Sequence, residues 1–108
     1  VPAKNRYDRC QLHLLYGLFY LGVENPQAAS REFARAHAAD RSNVFVMMRW
    51  ARTLYEIGVA RHLESDEIYK AYIKDCSSLV RKILQYDPDN KEGISLLQNI
   101  RRRFDMDI

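Results

Sequence analysis

The stretch GLFYLGVENPQAASREFARA, from Gly17 to Ala36, decides the fold of this chain of 108 residues. Its dipeptide Asn25-Pro26 is a strong helix start, because Asn caps free backbone N–H groups and Pro fits the first helical turn. Two helices joined by a tight turn are therefore predicted, and small residues are expected where their axes approach each other. Small and aromatic side chains recur at fixed intervals in the stretch: Gly17, Tyr20, Ala29, Phe33 and Ala36.

The rest of the chain repeats this pattern of apolar helical faces separated by capping residues and turns. No segment alternates between apolar and polar residues over the length of a strand, so we predict an all-α fold. About five helices are expected: residues 9–23, a second from Pro26, a third over 44–62, a fourth from Ser65-Asp66-Glu67 to Tyr86, and a fifth over 90–103.

The composition is that of one soluble globular domain over residues 1–108, with 47% hydrophobic and 29% charged residues. The longest apolar stretch, Leu14 to Val23, is too short to span a bilayer. An intracellular, most simply cytoplasmic, protein is expected. Because the chain starts at Val1 rather than Met, we expect a fragment or a processed product, and an organelle stays open. The net charge of +3 is a weak argument for a nucleic-acid partner.

Catalytic and metal-binding patterns find little support in the sequence. Cys10 and Cys76 are far apart in helical contexts, so buried reduced thiols are expected, with a disulfide between them as the alternative. Cys10 and His13 share a helix face, but two ligands do not make a zinc site. Since there is also no phosphate-binding glycine loop, no enzyme activity, cofactor, metal or small-molecule substrate is predicted. Catalysis by Cys76 with a histidine is the alternative.

The spacing from Gly17 to Ala36 resembles that of the tetratricopeptide repeat family, whose unit is a helix–turn–helix of about 34 residues. Repeat one would span residues 10–43, and an extended repeat two residues 44–90, with its extra length between Gly58 and Ala71 lengthening both helices. Residues 91–104 would form a capping helix. The resemblance implies a fragment of an antiparallel helix-hairpin solenoid. The alternative is an unrelated helical bundle with a chance match in spacing.

The resemblance also implies a protein–protein adaptor or scaffold, because the first helices of such hairpins line a concave groove. This groove would bind a helical or extended segment of a partner chain within a larger complex. On the alternative hypothesis, the same side chains pack against neighbouring repeats. Carried over by position, the partner-binding residues are Leu14, Leu18, Phe45, Met48, Arg52 and Tyr55, and the fifth helix would add Ser95, Asn99 and Arg102.

A basic stripe on the fourth helix supports a second hypothesis. Lys70, Lys74 and Arg81 share one face of that helix and could contact RNA phosphates or an acidic partner. The simpler interpretation is a solvated helix face. An RNA-associated helical module is thus the alternative function.

Overall fold

A computed structural model describes residues 5–106 of the chain. Within that range there are five α-helices and no strand, which confirms the all-α prediction. None of these helices combines the length and the apolar character needed to cross a lipid bilayer. The helices are α1 (Arg6–Gly22), α2 (Pro26–Ala39), α3 (Val44–Leu63), α4 (Tyr69–Tyr86) and α5 (Lys91–Phe104).

Each helix packs against the next one in the chain, and the contacts within the pairs α1–α2 and α3–α4 are the most extensive. The fold is therefore two helical hairpins in succession, closed by α5 on the second hairpin. The molecule measures 45 × 31 × 18 Å. Its thinnest dimension corresponds to about two helix diameters, as expected for packed layers of helices.

The first hairpin closes around Gly17, as the sequence predicts. Phe33 of α2 is fully buried against α1, together with Ala29 and Ala36. A Cβ atom added to Gly17 would lie 2.6 Å from Cδ1 of Phe33, well inside van der Waals contact. Only a residue without a side chain lets the Phe33 ring pack this close to the backbone of α1.

The second hairpin has two such close approaches. A Cβ on Gly58 would lie 2.5 Å from Cδ1 of Ile73 on α4. Nearer the start of α3, Cys76 Sγ donates a hydrogen bond to the carbonyl oxygen of Ala51 at 3.2 Å. Helices α3 and α4 have 20 and 18 residues against 17 and 14 in α1 and α2. Both helices of the second hairpin are therefore longer than their counterparts in the first.

The two hairpins turn in the same way. Glu24 and Ser65 adopt left-handed backbone conformations, with φ of 58° and 57°. The next amide donates back across each turn, from Asn25 to the Tyr20 carbonyl at 2.8 Å and from Asp66 to the Arg61 carbonyl at 2.9 Å. This is the hydrogen-bond pattern that commonly ends a helix, here without its usual glycine.

This turn corrects the predicted start of the fourth helix. Ser65 belongs to the turn, and α4 begins at Tyr69. The carboxylate of Asp66 does accept an amide hydrogen bond, but from Ile68 at 3.1 Å, before the helix begins. Ile68 consequently lies outside the core, with 51% of its surface exposed.

Trp50 joins the cores of the two hairpins. Its side chain packs against the buried residues of both. Its indole N–H donates to the hydroxyl oxygen of Ser30 on α2 at 3.2 Å. The hairpins are therefore connected by shared apolar contact as well as by the chain.

Both cysteines are buried free thiols, as predicted, and no disulfide joins them. Cys10 lies in the core of the first hairpin and Cys76 in that of the second. Burial raises the pKa of the Cys76 thiol to about 12. The thiol is therefore protonated at neutral pH, and nucleophilic chemistry requires the thiolate.

Candidate functional site

The candidate site is a groove between α3 and α5. Its main part is a cleft of about 430 Å³. A second cleft of about 360 Å³ shares Tyr55 and Asn99 with it, so the two form one continuous groove. The main cleft is lined by Arg52, Tyr55 and Glu56 from α3 and by Glu92, Ser95, Leu96 and Asn99 from α5, and the second adds Arg102 and Arg103.

The position of α5 determines which side chains reach this groove. The carbonyl oxygen of the Asn90 side chain accepts the Gly93 amide at 2.8 Å and starts the helix. Gly93, Leu96 and Ile100 are then buried. Ile94 is 38% exposed, because it lies about 100° around the helix from Gly93.

The rim of the groove is polar and carries both charges. Arg52 Nη1 and Glu92 Oε1 form a salt bridge of 3.2 Å, and both side chains are about half exposed. Arg102 donates a hydrogen bond to the side-chain oxygen of Asn99 at 2.7 Å. An exposed salt bridge contributes only about 0–1 kcal/mol, so another polar group could replace either partner at little cost.

Aromatic rings pack together around the end of α5. Phe104 stacks on Tyr69 with 5.5 Å between ring centroids and meets His62 edge-on at 5.1 Å. Tyr55 forms a T-shaped pair with the same Phe104 ring, with 6.3 Å between the ring centroids. Tyr55 is therefore in contact with α5 through Phe104, and it also lines the groove.

Only some of the predicted partner-binding residues line the groove. Arg52 and Tyr55 come together with the predicted α5 residues Ser95, Asn99 and Arg102 in this groove. Phe45 lies on the same face of α3, near the start of the helix, and is 54% exposed. Leu18 is partly buried against the core of the first hairpin and does not line the groove.

Leu14 and Met48 correct the prediction. Each has only 7% of its surface exposed and belongs to a core, Leu14 to that of the first hairpin and Met48 to that of the second. Both were expected to remain on the open face of their helices. Packing against the neighbouring helices covers them, so neither side chain is available to a partner in this structure.

A buried ion-pair network was not predicted from the sequence. Glu32 of α2 is 5% exposed and lies 3.1 Å from His13 Nδ1 on α1, and it also pairs with Arg35. Burial alone would raise the pKa of Glu32, but the hydrogen bonds from His13 and Arg35 outweigh it and hold that pKa below its usual range. The carboxylate is therefore ionised and accepts both bonds. A Glu between the apolar residues Ala29 and Phe33 is the signal that could have identified it.

The basic stripe on α4 is exposed, but one of its three residues is held in an ion pair. Lys70 Nζ pairs with the Glu67 carboxylate at 2.7 Å, and this hydrogen bond raises the pKa of Lys70. Lys74 and Arg81 are exposed farther along the helix. The stripe thus offers less positive charge than the sequence suggests.

No group of three His, Cys, Asp or Glu side chains within residues 5–106 is placed to hold a metal ion. Cys10 and His13, which share a face of α1, each contact a different residue. Asn43 Nδ2 donates a weak hydrogen bond to Cys10 Sγ at 3.8 Å, while His13 contacts Glu32.

Comparison with known proteins adds no family assignment. No protein-family model, no curated protein and no solved structure matches the chain. The tetratricopeptide resemblance therefore stays a prediction from sequence spacing.

Proposed function

We propose that this chain is an adaptor that binds a segment of another protein in the groove between α3 and α5. The observation that carries the proposal is an open groove with Tyr55 and Leu96 at its base and polar groups at its rim. An apolar centre surrounded by polar groups is the common arrangement of protein-binding surfaces.

The shape of the groove favours a peptide segment as the ligand. Its two connected clefts run along α3 and α5, which suits an extended chain or one face of a helix better than a compact small molecule. Phe45, exposed on the same face of α3, offers a second apolar contact beyond the cleft. The rim hydrogen-bonding groups Arg52 and Asn99 are paired only with exposed neighbours and could exchange them for backbone groups of a partner.

The proposal is tested by quantitative affinity capture from cell extract with three forms of the chain. One is wild type, one is the double variant Phe45→Ser/Ser95→Arg, and the control is Leu63→Ser. Leu63 is also highly exposed, at 72%, but lies at the far end of α3 outside the groove. We expect the amount of a protein retained by wild type and control to fall about tenfold or more with the double variant, because Ser95→Arg obstructs the groove and Phe45→Ser removes the exposed apolar contact beside it.

Far-ultraviolet circular dichroism of all three forms shows whether the helices are intact. If the folded double variant retains the same proteins in the same amounts, binding through this groove is excluded. If it unfolds, Ser95→Arg alone is used, since Ser95 is exposed on α5.

RNA binding through Lys70, Lys74 and Arg81 is the alternative function. Lys74 and Arg81 are the members of the stripe without the Glu67 ion pair. Loss of RNA affinity and of its salt dependence in the variant Lys74→Glu/Arg81→Glu would support this alternative. Unchanged affinity and salt dependence would exclude it.

A further inference from the structure

A separate cleft, the α2–α4 cleft, lies on the other side of α3, between α2 and α4. It has a volume of about 420 Å³, within the range of ligand sites. Trp50 of α3 contributes to it, whereas Arg52 lines the groove with α5; the two lie about 200° apart around the helix. The two clefts are therefore separate surfaces of one molecule.

Three basic residues line the α2–α4 cleft. His37 reaches it from the last turn of α2, Arg41 from the turn that follows α2, and Lys82 from α4. The same three residues also line an adjoining cleft of about 230 Å³, so they lie where the two join. Neither Arg41 nor Lys82 forms an ion pair with any residue in the range 5–106. Two cations without partners thus flank one cavity.

His37 carries an unsatisfied polar atom. Its Nδ1 is buried and has no hydrogen-bond partner among residues 5–106. Its ring lies 5.5 Å from that of Trp50. In a neutral imidazole one ring nitrogen carries the proton and the other a lone pair, so the tautomer protonated on Nε2 offers a donor on the other edge of the ring.

We propose that the α2–α4 cleft is a second binding site, which receives an acidic side chain carried on a segment of a partner protein. Arg41 and Lys82 supply the positive charge, His37 and Ser78 supply hydrogen bonds, and Trp50 supplies an apolar wall. This site is independent of the groove between α3 and α5.

Asp75 favours a peptide over a nucleic acid as the ligand. It lines the same cleft, seven residues before Lys82 on α4, which is about 10 Å along the helix axis. Its carboxylate repels a chain of phosphates but accepts the N–H groups of a peptide backbone. An acidic side chain at the Arg41–Lys82 end and a backbone N–H at the Asp75 end satisfy both ends of the cleft.

Occupancy of the site has a measurable effect on His37. Burial and the charges of Lys82 and Arg41 lower the pKa of His37, while Asp40 opposes them. Asp75 is the other charged residue of α4 that lines the cleft, and α3 contributes the uncharged Trp50. A bound carboxylate offsets the two cations, so it raises the pKa of His37.

The site is tested with a labelled ten-residue peptide of alternating Glu and Leu, a Lys/Leu peptide and an oligouridylate. Trp50 is the only tryptophan in the chain, so its fluorescence reports directly on the cleft. We expect a saturable fluorescence change with the Glu/Leu peptide alone. We also expect an upward shift of the His37 pKa in that complex, followed by NMR.

Matched double variants locate the binding. Arg41→Gln/Lys82→Gln should weaken affinity for the Glu/Leu peptide about tenfold or more, because both partners of its carboxylates are lost. Lys74→Gln/Arg81→Gln removes the same charge from two positions of α4 that lie about 80–100° around the helix from Lys82 and do not line the cleft, and it should change affinity less than about twofold. Ser95→Arg, in the α3–α5 groove, should have no effect.

Three results would overturn the proposal. One is no saturable change in Trp50 fluorescence at peptide concentrations up to about 1 mM, the weak end of measurable affinity. Another is equal weakening by the two double variants, which would indicate unspecific attraction to positive charge. The third is tighter binding of the oligouridylate than of the Glu/Leu peptide with the same dependence on Arg41 and Lys82, which would assign the cleft to phosphates.

Discussion

At the scale of single residues, two glycines of α1 lie in opposite surroundings. A Cβ on Gly17 would overlap the buried ring of Phe33, whereas a Cβ on Gly22 would meet nothing within 4 Å. The same substitution at the two positions therefore separates the cost of steric overlap from the gain in helix propensity. It also tests whether Gly17 brings the two helices together.

Gly17→Ala should lower the free energy of unfolding by up to about 2 kcal/mol. Overpacking a core costs about 1–3 kcal/mol, and replacing Gly in a helix returns up to about 1 kcal/mol. Gly22→Ala, the control, should be neutral or stabilising by up to about 1 kcal/mol. Urea unfolding measures both, and a Gly17→Ala protein as stable as Gly22→Ala would contradict the packing described.

Glu32 predicts a dependence of stability on pH. Its pKa is lower in the folded chain than when unfolded, so its contribution is present above about pH 4.3, the ordinary Glu value, and is lost as the pH falls through the folded pKa. Glu32→Gln should lower stability at pH 6 by about 1–3 kcal/mol, the cost of breaking a buried charged hydrogen bond.

The difference between wild type and Glu32→Gln should shrink as the pH approaches 3. Thermal unfolding followed by circular dichroism at pH 3 to 7 measures it. A difference that stays constant over this range would mean that the network with His13 and Arg35 does not stabilise the ionised carboxylate.

At the scale of elements, α5 is held to the second hairpin at both ends. The Asn90 cap and the contact of Gly93 with α4 secure its start. Phe104, packed among His62, Tyr69 and Tyr55, secures its end. Since α5 forms one wall of the candidate groove, its attachment also maintains the groove.

Phe104→Ala should therefore loosen the end of α5. A fully buried Phe→Ala change costs about 3–5 kcal/mol, and Phe104 is only partly buried, so about 1–3 kcal/mol is expected. Hydrogen exchange should become faster in the last turns of α5. Arg103→Ala, at an exposed neighbour, is the control, and equal exchange rates in the two variants would contradict this role of Phe104.

At the scale of the whole molecule, Trp50 links two cores that could otherwise unfold separately. It packs on both hairpins and bonds to Ser30 of the first. The wild-type chain should consequently unfold in one cooperative transition. Calorimetry tests this by comparing the calorimetric and van 't Hoff enthalpies, which agree for a two-state change.

Trp50→Ala should lower stability by about 2–4 kcal/mol, below the fully buried value because Trp50 is partly exposed. It should also broaden or split the transition, as the hairpins lose their shared contact. A variant that unfolds as sharply as wild type would show that the connecting chain and the remaining α2–α3 contacts are sufficient to couple the hairpins.

The local part of this fold could be predicted from the sequence. Helix caps such as Asn25 and apolar periodicity act within about four residues along the chain, so the five helices of residues 5–106 follow from them. The crossing at Gly17 was indicated by the spacing of small and aromatic residues across the hairpin. The family resemblance also placed Arg52 and Tyr55 of α3 opposite Ser95, Asn99 and Arg102 of α5, and these five residues line the groove.

Other features were decided by the tertiary structure alone. Burial of Leu14 and Met48, the Glu32 network, the contact of Gly58 with Ile73 and the cleft at His37 all depend on side chains from different helices. A sequence pattern tells which face of one helix is apolar. It does not tell how much of that face a neighbouring helix covers, because the coverage depends on crossing geometry between residues distant in the chain.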